Sequence, residues 1–243
     1  MNALLAQSAA EVRMTLRRGE TLLLTVGIPV LILVFFSRTH VVASPTAHRV
    51  DFIAPGVLAL SVLSTSLVAL SIATGFERSY GVLRRLHVTP LGRRRLIGAK
   101  VIGVLVTEAI QIVVLVLVAL SLNWRPHGGL AGAALVLGLV LLASAGLAGI
   151  GLALAGHLRA ELNLAASNGL YLVLLLLSGI VVPSSSLPSG LDRVMTWIPS
   201  GALADGLHRV LGSGALPRAQ DWLSLGLWAL VAPLLAARTF RFD

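Results

Sequence analysis

The chain contains no cysteine and a single lysine, Lys100. The lack of cysteine excludes disulfide bonds and metal sites built on thiolates. A Walker A motif, G-x-x-x-x-G-K-[ST], needs glycines at a fixed distance before its lysine and a hydroxyl residue after it. The segment Gly98-Ala99-Lys100-Val101 lacks both features, so ATP hydrolysis by the P-loop route is not expected in this chain.

Charged residues are also scarce. They make up 12% of the chain, against 56% hydrophobic residues. A soluble monomer of this composition would expose too much apolar surface, so the sequence predicts a multi-pass protein of the cell membrane. The basic residues lie in short segments beside apolar runs, where membrane topology and anionic lipid explain them better than nucleic acid does.

Candidate catalytic and metal-binding groups are few. The six histidines are scattered over five connections, no apolar run holds a pair of carboxylates, and there is no Gly-x-Ser-x-Gly motif. Metal binding, cofactor binding and hydrolysis by this chain are therefore not expected.

Six apolar runs are candidates for membrane-spanning helices, which need about 20 residues each. They cover residues 21–36, 52–76, 101–123, 128–156, 162–182 and 222–237. Each is expected to be a helix, because an open strand in lipid leaves backbone groups unpaired. The first and last are short, and they need their flanks or a locally thinner bilayer in order to span.

Residues 1–20 predict an interfacial helix on the inner leaflet. On a helix, Leu5, Val12 and Leu16 share one face, while Arg13 and Arg17 share another. A frayed basic tail is the alternative. A signal peptide is disfavoured, because the following apolar run is too long and leads into further membrane segments.

Residues 77–100, ERSYGVLRRLHVTPLGRRRLIGAK, form a charged island between two apolar runs. The island holds seven of the nineteen Lys and Arg residues. If the N-terminus is inside, the cytoplasmic segments hold thirteen of these residues and the outer connections hold six. Both termini are therefore predicted to be cytoplasmic.

The connection 183–221 is longer than the others and rich in Pro, Ser and Gly. It is divided into pieces too short to span by four prolines: Pro183, Pro188, Pro199 and Pro217. Residues 191–198 and 202–211 could each form a short helix, and Trp197 suits the membrane–water boundary. The pattern predicts an outer re-entrant or interfacial cap, with an ordinary solvated loop as the alternative.

Glu108 is an ionisable residue inside the third run, with Gln111 on the same helical face. One interpretation is that the two line or anchor a substrate path. The other is that Glu108 snorkels to the inner boundary or pairs with an arginine. In the fourth run, Ala145 with Gly149 and Gly151 with Ala155 have the spacing that permits close helix packing, without naming a partner.

The island resembles the cytoplasmic loop of ABC-2 type export permeases. In Glu77-Arg78-Ser79-Tyr80-Gly81-Val82-Leu83-Arg84-Arg85-Leu86-His87-Val88-Thr89-Pro90-Leu91, the Glu, Gly, Leu and Thr-Pro elements recur at the intervals of that family. The N-terminal helix, six spans and outer re-entrant segment give the same outline. Within the family the chain looks most like the drug-export and daunorubicin-resistance type, and a short permease for lipid-linked glycans shares the outline.

The resemblance implies an all-α membrane protein with one transmembrane domain over residues 1–243. It implies the permease subunit of an ATP-driven exporter for a drug, lipid or glycolipid. ATP and Mg would be bound by a separate P-loop ATPase, in two copies, and a second permease chain, identical or related, would complete the transporter. The implied coupling residues are Glu77, Arg78, Tyr80, Gly81, Leu83, Arg84, Arg85, Leu86, Thr89 and Pro90.

The resemblance also gives the island an expected shape. A helix built on Tyr80, Leu83 and Leu86 would enter a groove on the ATPase, and Pro90 would end it. The basic residues that follow, Arg93, Arg94, Arg95 and Lys100, would lie against anionic headgroups.

Two other function classes remain as alternatives. A self-powered secondary transporter should show internal repeats and matching broken helices. Pro29 and Pro233 interrupt the first and last runs, but no repeat is visible. A membrane-embedded enzyme is less favoured, because polar catalytic groups do not cluster in the sequence.

Overall fold

The computed structural model describes residues 9, 12–13, 19–39, 49–82, 92–179 and 194–240. Over these ranges the chain is helical and has no β-strand, which confirms the predicted all-α class for the described residues. The predicted interfacial helix over residues 1–20 falls mostly outside them.

The described residues form seven helices. Their bounds are Gly19–Arg38 (α1), Arg49–Ser79 (α2), Gly92–Ser121 (α3), Gly129–His157 (α4), Ala160–Leu176 (α5), Pro199–Leu207 (α6) and Ala219–Thr239 (α7). Six of them overlap the six predicted apolar runs. The remaining helix, α6, lies in the predicted outer region and continues as a π-helical turn over His208–Gly212.

Four of these helices are long and apolar enough to cross a membrane. They are α2, α4, α7 and the part Gly98–Ser121 of α3. The segment Thr25–Arg38 of α1 and the whole of α5 are apolar but shorter. The described residues therefore contain several candidate spans, and the count of six stays a prediction.

Two helices end earlier than the apolar runs suggested. α3 ends at Ser121, because Asn123 takes the left-handed conformation with φ of 64°. α5 ends at Leu176 rather than at residue 182, in a turn where Gly179 has φ of 72°. Hydropathy does not mark such ends, because the residues of both turns are flanked by apolar side chains.

Glycines of α4 bring two other helices into backbone contact with it. A Cβ atom at Gly149 would lie 2.4 Å from the Pro233 nitrogen of α7, and one at Gly151 would lie 2.7 Å from the Leu67 carbonyl oxygen of α2. Neither distance admits a side chain, so α7 and α2 pack directly on the α4 backbone. Two of the small residues noted in the sequence, Gly149 and Gly151, therefore pack on α7 and α2.

α2 contains a stretch that is wider than an α-helix. Residues Ser64–Ala69 are π-helical, between the α-helical parts Arg49–Leu63 and Leu70–Ser79. Gly151 of α4 faces this stretch. Such insertions are frequent at functional sites, which makes the middle of α2 a region of interest.

α6 is short and buried among longer helices. Only Asp205 of its nine residues is not fully buried. Pro199 begins the helix, where its missing N–H would have no helical partner anyway. The Ser200 hydroxyl donates to the Leu174 carbonyl of α5 at 3.1 Å. The short helix predicted over 202–211 is thus observed, and its re-entrant position in a membrane stays a prediction.

The α4–α7 contact predicts a difference between two Gly→Ala variants. Gly149→Ala should lower the free energy of unfolding by about 1–3 kcal/mol, because the new methyl group must displace the α7 backbone. Gly226→Ala, on α7 where an added Cβ meets nothing within 4 Å, is the matched control and should melt like the native chain or slightly higher. Thermal unfolding in detergent measures both, and equal melting temperatures would contradict the close packing.

Candidate functional site

At the island end of the bundle, the last turn of α2 meets the start of α3 and the end of α4. The carboxylate of Glu77 on α2 accepts a hydrogen bond from the Lys100 ammonium group of α3 at 2.6 Å. The Lys100 side chain is only 3% exposed, against 20% for Glu77. A cation this deeply buried needs a nearby anion, so the pair fixes α2 against α3.

Arg78, the next residue, binds α4. Its guanidinium donates to the carbonyl oxygens of Ala155 and Leu158, both at 2.9 Å. The last carbonyl groups of a helix lack partners within it and carry partial negative charge, so a guanidinium there supplies both hydrogen bonds and charge. The last turn of α2 is therefore attached to two neighbouring helices.

Beyond this attachment the chain turns outward. Tyr80 is 74% exposed, and its ring stacks on Phe76 with centroids 6.1 Å apart. Gly81 follows with φ of 71° in open space, and Val82 is also exposed. An aromatic and an aliphatic side chain are thus presented to the surroundings directly after the attached turn.

The turn corrects one expectation about the shape of the island. Tyr80 was expected on one helix with Leu83 and Leu86. It belongs instead to the end of α2, because Gly81 leaves the helical conformation.

Lys100 was expected against lipid headgroups, and this was wrong, since the side chain is buried and pairs with Glu77.

The described residues include four of the ten predicted coupling residues, Glu77, Arg78, Tyr80 and Gly81, which are close in the sequence, and their coupling role stays a prediction. The other six fall outside the described residues: Leu83, Arg84, Arg85, Leu86, Thr89 and Pro90. The side chains of Arg93, Arg94 and Arg95 are also outside the described part.

Glu108 lies at the centre of the bundle, 1% exposed. Its carboxylate accepts hydrogen bonds from the Ser66 hydroxyl of α2 and the Ser144 hydroxyl of α4. The side chain does not snorkel to a boundary, and its hydrogen bonds come from hydroxyl groups rather than from an arginine. Glu108 therefore connects α3 to α2 and α4.

Gln111, one turn further along α3, continues this connection. Its side-chain oxygen accepts from the Thr65 hydroxyl of α2 at 2.9 Å, and its amide donates to the Thr25 carbonyl of α1 at 2.7 Å. Together with Glu108 it joins four helices, at the π-helical stretch of α2. Both side chains are engaged in contacts between helices, and a role in lining a substrate path stays a prediction.

A second polar cluster, which the sequence analysis missed, joins α2 to α5. The Ser71 hydroxyl donates to the Asn163 side-chain oxygen at 2.9 Å, and the Asn163 amide donates to the Ser71 carbonyl at 2.9 Å. The Ser167 hydroxyl donates to the Ser71 hydroxyl at 2.9 Å. The sequence does contain a signal for this cluster, because its members are uncharged polar residues within apolar runs. A search for ionisable residues alone does not find them.

In the predicted outer region, Trp197 and Pro199 can be placed, and Pro183 and Pro188 lie outside the described residues. Trp197 is half-exposed, and its carbonyl accepts from the indole N–H of Trp228 on α7 at 2.8 Å. Pro199 begins α6. In the described part of the chain, no group of three or more His, Asp or Glu side chains is placed to hold a metal ion.

The Glu77–Lys100 pair predicts a coupling energy between the two positions. Glu77→Gln and Lys100→Met should each lower the free energy of unfolding, and the double variant should lose less than the two single losses added. The difference should be about 1–3 kcal/mol, because each single variant removes one charge of the pair and keeps the opposite charge. Denaturant or thermal unfolding of all four chains measures it. Additive losses would show that the pair contributes nothing.

Glu108 predicts a contrast between two substitutions. Glu108→Ala should lower the free energy of unfolding by about 2–4 kcal/mol, since it leaves a cavity and removes the acceptor for two buried serines. Glu108→Gln keeps the size and one carbonyl oxygen, so it should lose clearly less. Melting temperatures in detergent distinguish the two, and equal losses would count against the hydrogen bonds.

Comparison with known proteins gives two matches over this architecture. Residues 35–238 match the family described as ABC-2 family transporter protein. The chain is also 26% identical over 226 residues to "Putative transport permease YvfS" of Bacillus subtilis (strain 168), with 88% of each chain covered. The family match runs from the end of α1 through α7 and includes the attached turn of α2. With its several apolar helices and this match, the chain belongs to the ABC-2 family of transporter proteins.

Proposed function

We propose that this chain is the permease subunit of an ATP-driven exporter that moves a drug, lipid or glycolipid out across the membrane. The observation that carries the proposal is the attachment of the last turn of α2 to both α3 and α4, with the exposed Tyr80 directly after it. A force applied to the island would reach three helices through these contacts.

The proposed partner is a soluble P-loop ATPase that binds ATP and Mg, in two copies. An exposed aromatic side chain such as Tyr80 is a suitable anchor for a protein groove. Glu77 binds α3 and Arg78 binds α4, so in this proposal the two residues transmit motion to those helices and Tyr80 makes the contact with the ATPase. Closure of the ATPase subunits would then move α2, α3 and α4 as one rigid body.

A second permease chain, identical or related, completes the proposed transporter. The coupling loop and both termini are proposed to be cytoplasmic, supported by the excess of Lys and Arg in those segments.

Purification of the tagged full-length chain from its own membranes tests this proposal. In mild detergent, a P-loop ATPase should co-elute in a fixed ratio, identified by mass spectrometry. Tyr80→Asp should reduce the recovered ATPase at least about tenfold, since it puts a charge into an apolar contact. Leu216→Asp is the matched control, because Leu216 is 71% exposed and lies away from the island, and it should keep the ATPase.

The same experiment separates the alternatives. An untagged copy of the chain in the eluate indicates a homodimer, and a different permease indicates a heterodimer. Elution of the native chain without any ATPase, under conditions that keep other such complexes intact, would reject the proposal in favour of a self-powered transporter.

A further inference from the structure

Glu108 is the single ionisable residue in the middle of the helices that meet around it. The other ionisable residues of α1 to α4 lie toward the helix ends: Glu20 and Arg38 in α1, Arg49, Asp51, Glu77 and Arg78 in α2, Arg93, Arg94, Arg95 and Lys100 in α3, and His157 in α4. Lys100 is the nearest of them along α3, about 12 Å away by helical rise, and it pairs with Glu77. In these four helices, Glu108 therefore has no positive side chain at its own level.

Neutral hydroxyl groups surround the carboxyl group of Glu108. One of its oxygens contacts the Ser66 hydroxyl of α2, and the other contacts the Ser144 hydroxyl of α4. Glu108 is 1% exposed, and both serines are fully buried. The neighbouring polar side chains of α3, Thr107 and Gln111, form their hydrogen bonds with other groups. Within the described part of the chain, the carboxyl group thus meets two hydroxyl groups and no cation.

A proton suits this site better than a bare negative charge or a larger cation. A carboxylate without a counter-charge in apolar surroundings is so unfavourable that the group takes up a proton instead. A metal ion would need room among its oxygen ligands, whereas both serine hydroxyls lie directly against the carboxyl oxygens. A neutral acid keeps both contacts, because one oxygen accepts as a carbonyl and the O–H donates to the second serine. That serine can donate in turn to the backbone carbonyl four residues before it.

The position of this acid gives its proton a structural consequence. Ser66 belongs to the π-helical stretch Ser64–Ala69, whose backbone lies against Gly151 of α4. Glu108 therefore joins the same three helices, α2, α3 and α4, that Glu77 and Arg78 join at the island end. Loss of the proton would place an uncompensated charge at the centre of this contact.

We propose that Glu108 is a proton-binding site and that the bound proton keeps α2, α3 and α4 in contact at the π-helical stretch. Exchange of this proton with water requires the three helices to separate, because the side chain is almost completely buried. The inference does not rest on the proposed function, since the proton belongs to the permease chain alone.

Infrared difference spectroscopy of the full-length chain in lipid nanodiscs tests the protonation state. The native spectrum minus that of Glu108→Gln, at neutral pH, should contain the C=O stretching band of a carboxylic acid. Glu161→Gln is the matched control, because Glu161 is exposed in the first turn of α5, and its difference spectrum should contain carboxylate bands instead. Carboxylate bands for Glu108 would overturn the proposal.

A second measurement applies if Glu108→Gln fails to fold. The native chain has five glutamates, and labelling them with 13C moves their carboxyl bands away from those of the aspartates. The labelled spectrum should contain one acid band that survives in Glu161→Gln and in Glu77→Gln. The lack of any labelled acid band at neutral pH would reject the proton site.

Melting temperatures at several pH values test the structural role of the proton. The folded chain holds this proton more tightly than the unfolded chain does, so stability should fall as the pH rises, until the proton is lost. The native chain should therefore lose melting temperature more steeply with pH than Glu108→Gln, which has no proton to release. Parallel pH profiles for the two chains would show that the proton does not hold the helices together. Neither readout depends on whether an ATPase co-purifies.

Discussion

Backbone contact at the glycines of α4 is the constraint on which the rest of the bundle depends. Apolar side chains gain little by leaving lipid for one another, so membrane helices associate through close packing and polar contacts. Gly149 and Gly151 let α7 and α2 come nearer to α4 than any side chain would allow. Because the two glycines serve different neighbours, α4 sets the positions of α2 and α7 relative to each other.

Hydrogen bonds between polar side chains then fix how these helices are aligned. Glu108 and Gln111 bind hydroxyl groups from the π-helical stretch of α2, and Asn163 binds Ser71 one turn beyond it. Groups of this kind are unfavourable in an apolar interior unless they are satisfied, so a shift of α2 along its axis would break several contacts at once.

α2 connects the two ends of the bundle. Its last turn holds α3 and α4 through Glu77 and Arg78, and its first turn supplies Asp51 and Phe52 to a cavity at the opposite end of the bundle. The π-helical stretch of α2 lies between these two turns and packs against Gly151 of α4. The turn that carries the proposed contact with an ATPase and the turn that borders the cavity are thus the two ends of one continuous helix, Arg49–Ser79.

From the amino-acid sequence alone, the all-α class, the membrane character and the approximate helix positions could be predicted. Composition, run length and local spacing suffice for these, because each depends on neighbouring residues in the chain. The burial of Lys100 against Glu77 and the hydrogen bonds from serines to Glu108 became visible only in the packed bundle. Those facts depend on which distant residues meet when helices pack, and helical periodicity gives the face of a residue without naming its neighbour.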